Sequence, residues 1–306
     1  MRFAIFGFDT PNLGDDVQAL AAAALLPRID AYVNRDRLDK VRLPQTCKLI
    51  MNSWFAIKRY HATPSQSIEP IYFGQCIGRP ELLNDAWLAE WRKHQPIGLR
   101  DRHSVDLLRR YGVEAHFTGC LTTWMGRFFA VPERREGIVF LDVPEEMESF
   151  IPADIRGRAE RITNATAKGN DDQPSRFRAC AKILDRLRTA EMVVTRRLHA
   201  SLPCVGFGTP VTVYLEGGTK NRRRFSGSDE IMPVIYHDGK RPEGEVWVAP
   251  RACSPTAEME AHFKALCERL GVTVSPRWTS VSQMVEQHLP EIAREPRSLW
   301  QRLRAA

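Results

Sequence analysis

Short apolar runs alternate with amphipathic stretches along the first half of the chain. Phe3 to Phe6 reads as a buried strand, and Asp16 to Leu26, rich in Ala and Leu, as a helix that Pro27 ends. Leu49-Ile50-Met51 and Ile71-Tyr72-Phe73 read as further buried strands, and Pro96 to Leu99 is strand-like. Val105 to Tyr111 has a helical period that turns Leu107 and Leu108 inward, and Gly112 stands where a left-handed cap is expected. Val113 to Phe117 then returns as a strand. This rhythm predicts an α/β fold with parallel sheets and right-handed crossovers. After the charged stretch Val131 to Glu136, Ile138-Val139-Phe140-Leu141 opens a second sheet, which predicts two domains, residues 1–133 and 134–306. In the second, Phe177, Cys180, Leu184 and Leu187 share a helical face, and Met192 to Val194 and Val211 to Leu215 read as strands. Asn164 to Ser175, rich in Gly, Asp and Asn, reads as a loop. Helices from Glu258 to Leu270 and from Val281 onward close the chain.

At 306 residues, 43% hydrophobic and 26% charged, the chain is globular and long enough for two domains. The longest apolar run, Ala19 to Leu26, is too short to span a bilayer, and Met1-Arg2-Phe3 leads directly into a strand; both point to a cytoplasmic protein. Seven Cys without a C-x-x-C pair argue against a zinc site and a disulfide framework. The net charge of +7 is concentrated at Lys220 to Arg224 and from Arg294 to Arg304, and no nucleic-acid-binding motif accompanies it, so nucleic acid is excluded as a partner. In the tail, Leu289, Ile292, Leu299, Trp300 and Leu303 mix with Arg294, Arg297, Arg302 and Arg304. Such a helix either packs back onto the N-terminal domain or docks peripherally at the inner face of a membrane.

Polar residues gather where apolar strands stop, the place where ligands bind in open α/β sheets. Thr195-Arg196-Arg197-Leu198-His199 follows one strand, and Arg100-Asp101 another. Arg offers a planar fork to phosphate or carboxylate, and His carries a proton near neutral pH, so the pair suits an anionic substrate that must be protonated. Asp101 is placed to fix Arg100 by a bidentate pair. If a helix starts at Arg197, Leu198, Leu202 and Val205 pack inward and Arg197 and Ser201 share the mouth side; alternatively Ser201 caps a helix that begins later. Asn12-Leu13-Gly14-Asp15-Asp16 occupies the place of a Gly-x-Gly-x-x-Gly loop but lacks its glycines, and its carboxylates suit hydroxyls better than phosphate. Asn52-Ser53 ends a third strand. Gly119 lets backbone approach a ligand closely, while Cys120 has no adjacent base and is no nucleophile.

In this order, Asn12-Leu13-Gly14-Asp15, Asn52-Ser53-Trp54-Phe55, Gly98-Leu99-Arg100-Asp101, Thr118 to Thr123, Arg197-Leu198-His199 and the loop Lys220 to Gly227 together resemble the polysaccharide pyruvyl transferase family over residues 1–230. Two departures stand out: Arg196 where Ser is frequent, and Asn164-Ala165 where many relatives have Thr-His. The resemblance implies a GT-B-like architecture, two Rossmann-like domains facing a cleft. It also implies a transferase that moves pyruvate from phosphoenolpyruvate onto two hydroxyls of a sugar, as a ketal, in exopolysaccharide biosynthesis. Phosphoenolpyruvate is then a co-substrate, no other cofactor or metal is required, and the acceptor is a saccharide, free or lipid-linked. His199 becomes the general acid, Arg197 and Arg100 the anion clamp, and Thr195 and Leu198 further donor contacts. Asp15 would orient or deprotonate the acceptor, with Asn12, Gly14, Asp16, Asn52, Gly119 and Arg224 lining the acceptor side. Two rival readings are a GT-B glycosyltransferase, whose arginines would hold a nucleotide diphosphate, and a catalytically silent saccharide-binding protein.

Overall fold

The computed structural model describes residues 1–55, 62–166, 172–238, 240, 243–244 and 247–289. The first half contains β1 (Phe3–Gly7), α1 (Leu13–Leu25), β2 (Ala31–Asn34), β3 (Cys47–Ile50), β4 (Trp54–Phe55), β5 (Ile68–Ile71), β6 (Cys76–Ile77), α2 (Asp85–His94), β7 (Ile97–Leu99), α3 (Arg102–Arg110) and β8 (Ala115–Phe117). A 3₁₀ stretch, Leu121–Phe128, leads out of it. The second half contains β9 (Ile138–Leu141), α4 (Glu145–Glu148), α5 (Ala153–Arg158), β10 (Ala159–Ile162), α6 (Gln173–Arg188), β11 (Met192–Thr195), α7 (Leu198–Phe207), β12 (Val211–Glu216), α8 (Thr219–Phe225), β13 (Val234–His237), α9 (Ala257–Leu270) and α10 (Val281–His288).

Both halves are built on parallel sheets, ordered β2-β1-β3-β5 in the first and β10-β9-β11-β12-β13 in the second. The short parallel pairs β4-β6 and β7-β8 belong to the first half, and the Gly98 amide donates to the Tyr72 carbonyl to join β7 to the chain leaving β5. The fold is therefore mixed α/β with parallel sheets. Side chains such as Phe3, Ile5, Leu49, Val193 and Val213 are buried, as strands covered on both faces require.

Helix α1 lies at the centre. Asn12 caps it by accepting the Gly14 amide at 3.0 Å, so the helix starts at Leu13, three residues before the Asp16 start that the sequence suggested. All thirteen of its residues are buried, because it packs on β1 and also on α6, α7, α10 and the 3₁₀ stretch. The alanine run Ala21 to Ala24 keeps the helix thin enough for this, and one continuous apolar core runs from Phe3 to Leu289 across both sheets. A second tight approach joins the 3₁₀ stretch to α7, where a Cβ on Gly126 would lie 1.8 Å from the Gly206 carbonyl oxygen. Arg135, in the connection between the halves, donates to the Arg188 and Phe207 carbonyls, the last residues of α6 and α7. A guanidinium there meets the negative ends of two helix dipoles.

Several local expectations need correction. The stretch read as a loop to Ser175 contains the start of α6, because Asp172 accepts the Ser175 amide at 2.8 Å and Pro174 sits in the first turn. Leu107 is half-buried; Ser104, Val105 and Leu108 form the buried face of α3 instead. Helix α7 begins at Leu198 with Arg197 at its cap, and Ser201, expected at a mouth, is buried and donates to the Leu198 carbonyl at 3.0 Å. Ile292, Leu299, Trp300, Leu303 and the tail arginines lie outside the described residues.

Candidate functional site

The C-terminal ends of β1, β2, β3, β7 and β11 are followed by Asn12, Arg35, Ser53, Arg100 and Arg197. These ends, together with α8, carry the residues that gather into one polar cluster. At its centre, Arg100 Nη1 lies 3.4 Å from His199 Nε2, and both residues are buried, 1% and 4% exposed. Among the described residues Arg100 Nε and Nη2 have no hydrogen-bond partner; Asp101 approaches Nε only to 4.0 Å. The bidentate pair expected from the sequence does not form, because Asp101 Oδ1 caps α3 by accepting the Ser104 amide at 2.8 Å.

Arg224, the penultimate residue of α8, lies with its guanidinium 5.3 Å from the Trp54 ring centre, and its Nε is buried without a hydrogen-bond partner among the described residues. Burial, with the charge of Arg100 beside it, pushes its pKa down to about 10. His199 is held well below the ordinary imidazole range by burial and by the guanidiniums of Arg100, Arg224 and Arg35. A hydrogen bond to the Gly14 backbone opposes this lowering only in part.

Arg35 is a member of the cluster that sequence reading missed. It lies 3.4 Å from Asp15 Oδ1, 3.1 Å from Asp36 and 3.5 Å from the Ser53 hydroxyl, and Thr10 Oγ1 donates to Asp15 Oδ2 at 2.8 Å. Its signal was present: Arg35-Asp36 repeats the Arg-Asp pair at 100–101, after a strand, Ala31–Asn34, that is only partly buried and ends in a polar residue.

Other named residues have their polar atoms engaged elsewhere. Asp16 is ion-paired with Arg176 at 2.5 Å and accepts from Gln173 at 2.6 Å, so it ties the start of α1 to α6. Asn52 Oδ1 accepts from the Leu121 amide at 3.1 Å and the Cys120 thiol at 3.3 Å, and the space a Cβ on Gly119 would take is filled by Met259. Thr195 Oγ1 donates to the Leu141 carbonyl and accepts the Arg197 amide at 3.0 Å, orienting that residue. Arg197 Nε donates to Asp142 at 2.7 Å; its side chain is one-third exposed, and its charge acts on Arg224. Leu198 is buried as the first residue of α7.

Asn164 belongs to the second half yet closes on the first: its carbonyl accepts the Leu13 amide at 2.9 Å, and Ala165 bridges Asn12. A Cβ on Gly14 would meet Asn12 Oδ1 at 3.0 Å and Asn164 Nδ2 at 3.3 Å, so a small residue is needed there. Among the described residues no cluster of His, Cys, Asp or Glu is arranged to hold a metal ion, and no helix is long and apolar enough to cross a membrane.

The cluster therefore offers two guanidiniums with free donors around an imidazole, a setting for an anion. The model of the family described as polysaccharide pyruvyl transferase matches residues 12–216, which include Asn12, Arg100, Arg197 and His199. Comparison with curated proteins finds no match. A solved structure, that of a functionally uncharacterised protein from Klebsiella pneumoniae subsp. pneumoniae, is similar at 15% identity. The likeness covers 73% of this chain and 87% of that one, with a TM-score of 0.41.

Proposed function

We propose, for a chain that belongs to the polysaccharide pyruvyl transferase family and so is a transferase of polysaccharide biosynthesis, that phosphoenolpyruvate is the donor and a pyruvate ketal on a saccharide the product. The observation that carries this reading is the unpartnered, buried donors of Arg100 and Arg224 beside His199. Burying like charges without hydrogen-bonded carboxylates is costly, and a ligand with two anionic groups, phosphate and carboxylate, offsets that cost.

The reaction needs a proton at C3 of the donor while an acceptor hydroxyl adds to C2. Phosphate then leaves, and a second hydroxyl closes the ketal, so two hydroxyl protons balance the proton given to C3 and the one lost to solvent or phosphate. His199 supplies the proton to C3. Arg100, Arg224 and Arg197 stabilise the departing phosphate and the carboxylate. Asp15, held by Thr10 and Arg35, receives or orients the acceptor hydroxyl.

The test is a thermal-shift comparison of phosphoenolpyruvate with UDP- and GDP-sugars, followed by an assay for phosphate release in the presence of saccharide acceptors. A ligand that binds only the folded state raises the melting temperature. Stabilisation by phosphoenolpyruvate and acceptor-dependent phosphate release are expected. Stabilisation by a nucleotide sugar alone would reassign the cluster to a diphosphate.

A further inference from the structure

A general acid must be cationic before it reacts, yet the contact at His199 is made by a donor. The Arg100 guanidinium bears only N–H groups, so an Nε2 atom 3.4 Å from Nη1 can face it favourably only through its lone pair. A proton on Nε2 would set two donors and two positive charges against each other in a buried site. The surroundings act in the same direction. Arg100 reaches the ring from the end of β7, Arg224 from α8 and Arg35 from the end of β2, while α1 contributes the Gly14 backbone. The carboxylate of Asp15 acts on Arg100 and Arg224, and that of Asp101 on Arg100. The Cys76 and Cys120 thiols beside Arg100 are pushed up by burial and stay uncharged near neutral pH.

We propose that Arg100 keeps His199 unprotonated until the donor binds, and that the entering phosphoryl anion draws the guanidinium off Nε2 so that the ring takes up a proton. This rests on the donor reading above and adds a step to it: loading the donor arms the acid. Arg100 is in this respect a positioning residue as well as an anion ligand. Above about pH 7 a phosphate monoester is mainly dianionic, since its second pKa is about 6, so the proton comes from solvent. Below about pH 6 the ligand is mainly the monoanion, brings the proton itself and hands it to the ring, and net uptake falls.

The protein labelled with ¹⁵N in its histidine rings reads this directly, with the His199 signals identified by their loss in His199→Gln. Without ligand, Nε2 should report a neutral, unprotonated nitrogen from pH 8 down to about pH 6, below the ordinary imidazole pKa of about 6.5. With saturating phosphoenolpyruvate at pH 8 the ring should become cationic. Calorimetry in two buffers of different ionisation enthalpy should then show uptake of about one proton per donor bound, a signal that disappears in His199→Gln. A cationic ring at pH 7 without ligand overturns the proposal, and so does a ring that stays neutral with phosphoenolpyruvate bound. If calorimetry shows no binding of phosphoenolpyruvate, the donor reading fails. The ligand-free spectrum of Arg100→Gln then decides the role of Arg100 by itself. Loss of the guanidinium charge should raise the His199 pKa, and an unchanged value overturns the proposal. Where Arg100→Gln does not fold, a cationic ring in the ligand-free wild type at pH 7 still overturns the proposal.

Discussion

Asp16 offers a quantitative check on how α1 is held. Its side chain is fully buried, with Oδ2 2.5 Å from Arg176 Nη2 and Oδ1 2.6 Å from Gln173 Nε2. Burial raises its pKa from the ordinary 3.8 to about 6, against the lowering by Arg176 and Gln173 and with some help from the Asp15 charge. A carboxyl whose pKa is higher folded than unfolded contributes stability that is present below about pH 3.8 and is lost as pH rises through about 6. The gap between 3.8 and about 6 corresponds to about 3 kcal/mol at 1.36 kcal/mol per unit. Asp16→Asn preserves the shape but cannot ionise. Part of this is already lost at pH 4, so the stability of the wild type relative to this variant should fall by about 2.4 kcal/mol between pH 4 and pH 7. A constant offset is expected as well, because one of the two oxygens that face the Arg176 and Gln173 donors becomes an amide NH2, which cannot accept. Urea unfolding of both proteins at pH 4, 5, 6 and 7 separates the offset from the slope. A difference that is flat with pH, or that grows in favour of the wild type as pH rises, would refute the reasoning.

His199→Gln should still bind phosphoenolpyruvate but turn over roughly 10²–10⁴ times more slowly, measured by phosphate release; near-normal turnover would reject the acid role. Arg197→Ala should lose about 2–4 kcal/mol of transition-state stabilisation in kcat/KM, while its melting temperature stays within a few degrees, since a one-third-exposed pair with Asp142 contributes little to stability. A melting temperature that falls in step with activity would make Arg197 a structural residue. Gly126→Ala should destabilise by at least about 1–3 kcal/mol in thermal unfolding, because its Cβ would overlap the Gly206 carbonyl, a backbone atom that cannot step aside. Unchanged stability would mean that the 3₁₀ stretch and α7 are farther apart.

What the sequence displayed was local. Strand ends carrying Arg100, Arg197 and His199 stood out because an apolar run stopping at a charge is visible within eight residues. The long helices α6, beyond its first turn, and α9 followed from periodicity, and β9 from four consecutive apolar residues. Strand β2 was missed for a physical reason: Val33 is its only fully buried residue and it ends in Asn34, so no apolar run marks it, and with it went Arg35. Partners were the least legible. Asp16 and Arg176 are 160 positions apart, Arg197 and Asp142 are 55 apart, and Arg135 reaches the ends of two helices. Nothing in the chain marks Arg176 and Arg135 as structural. The difference arises on folding: Arg176 is engaged by a carboxylate and Arg135 by carbonyls, whereas Arg100 and Arg224 are buried with donors left over beside a histidine. Buried polar groups are ordinarily satisfied, so a pair left unsatisfied in one place points to a ligand that completes it. The chemistry at 197–199 was thus readable in the chain, but its placement against Arg100 rather than in solvent depends on α1, whose alanines let the two parallel sheets close around the same strand ends.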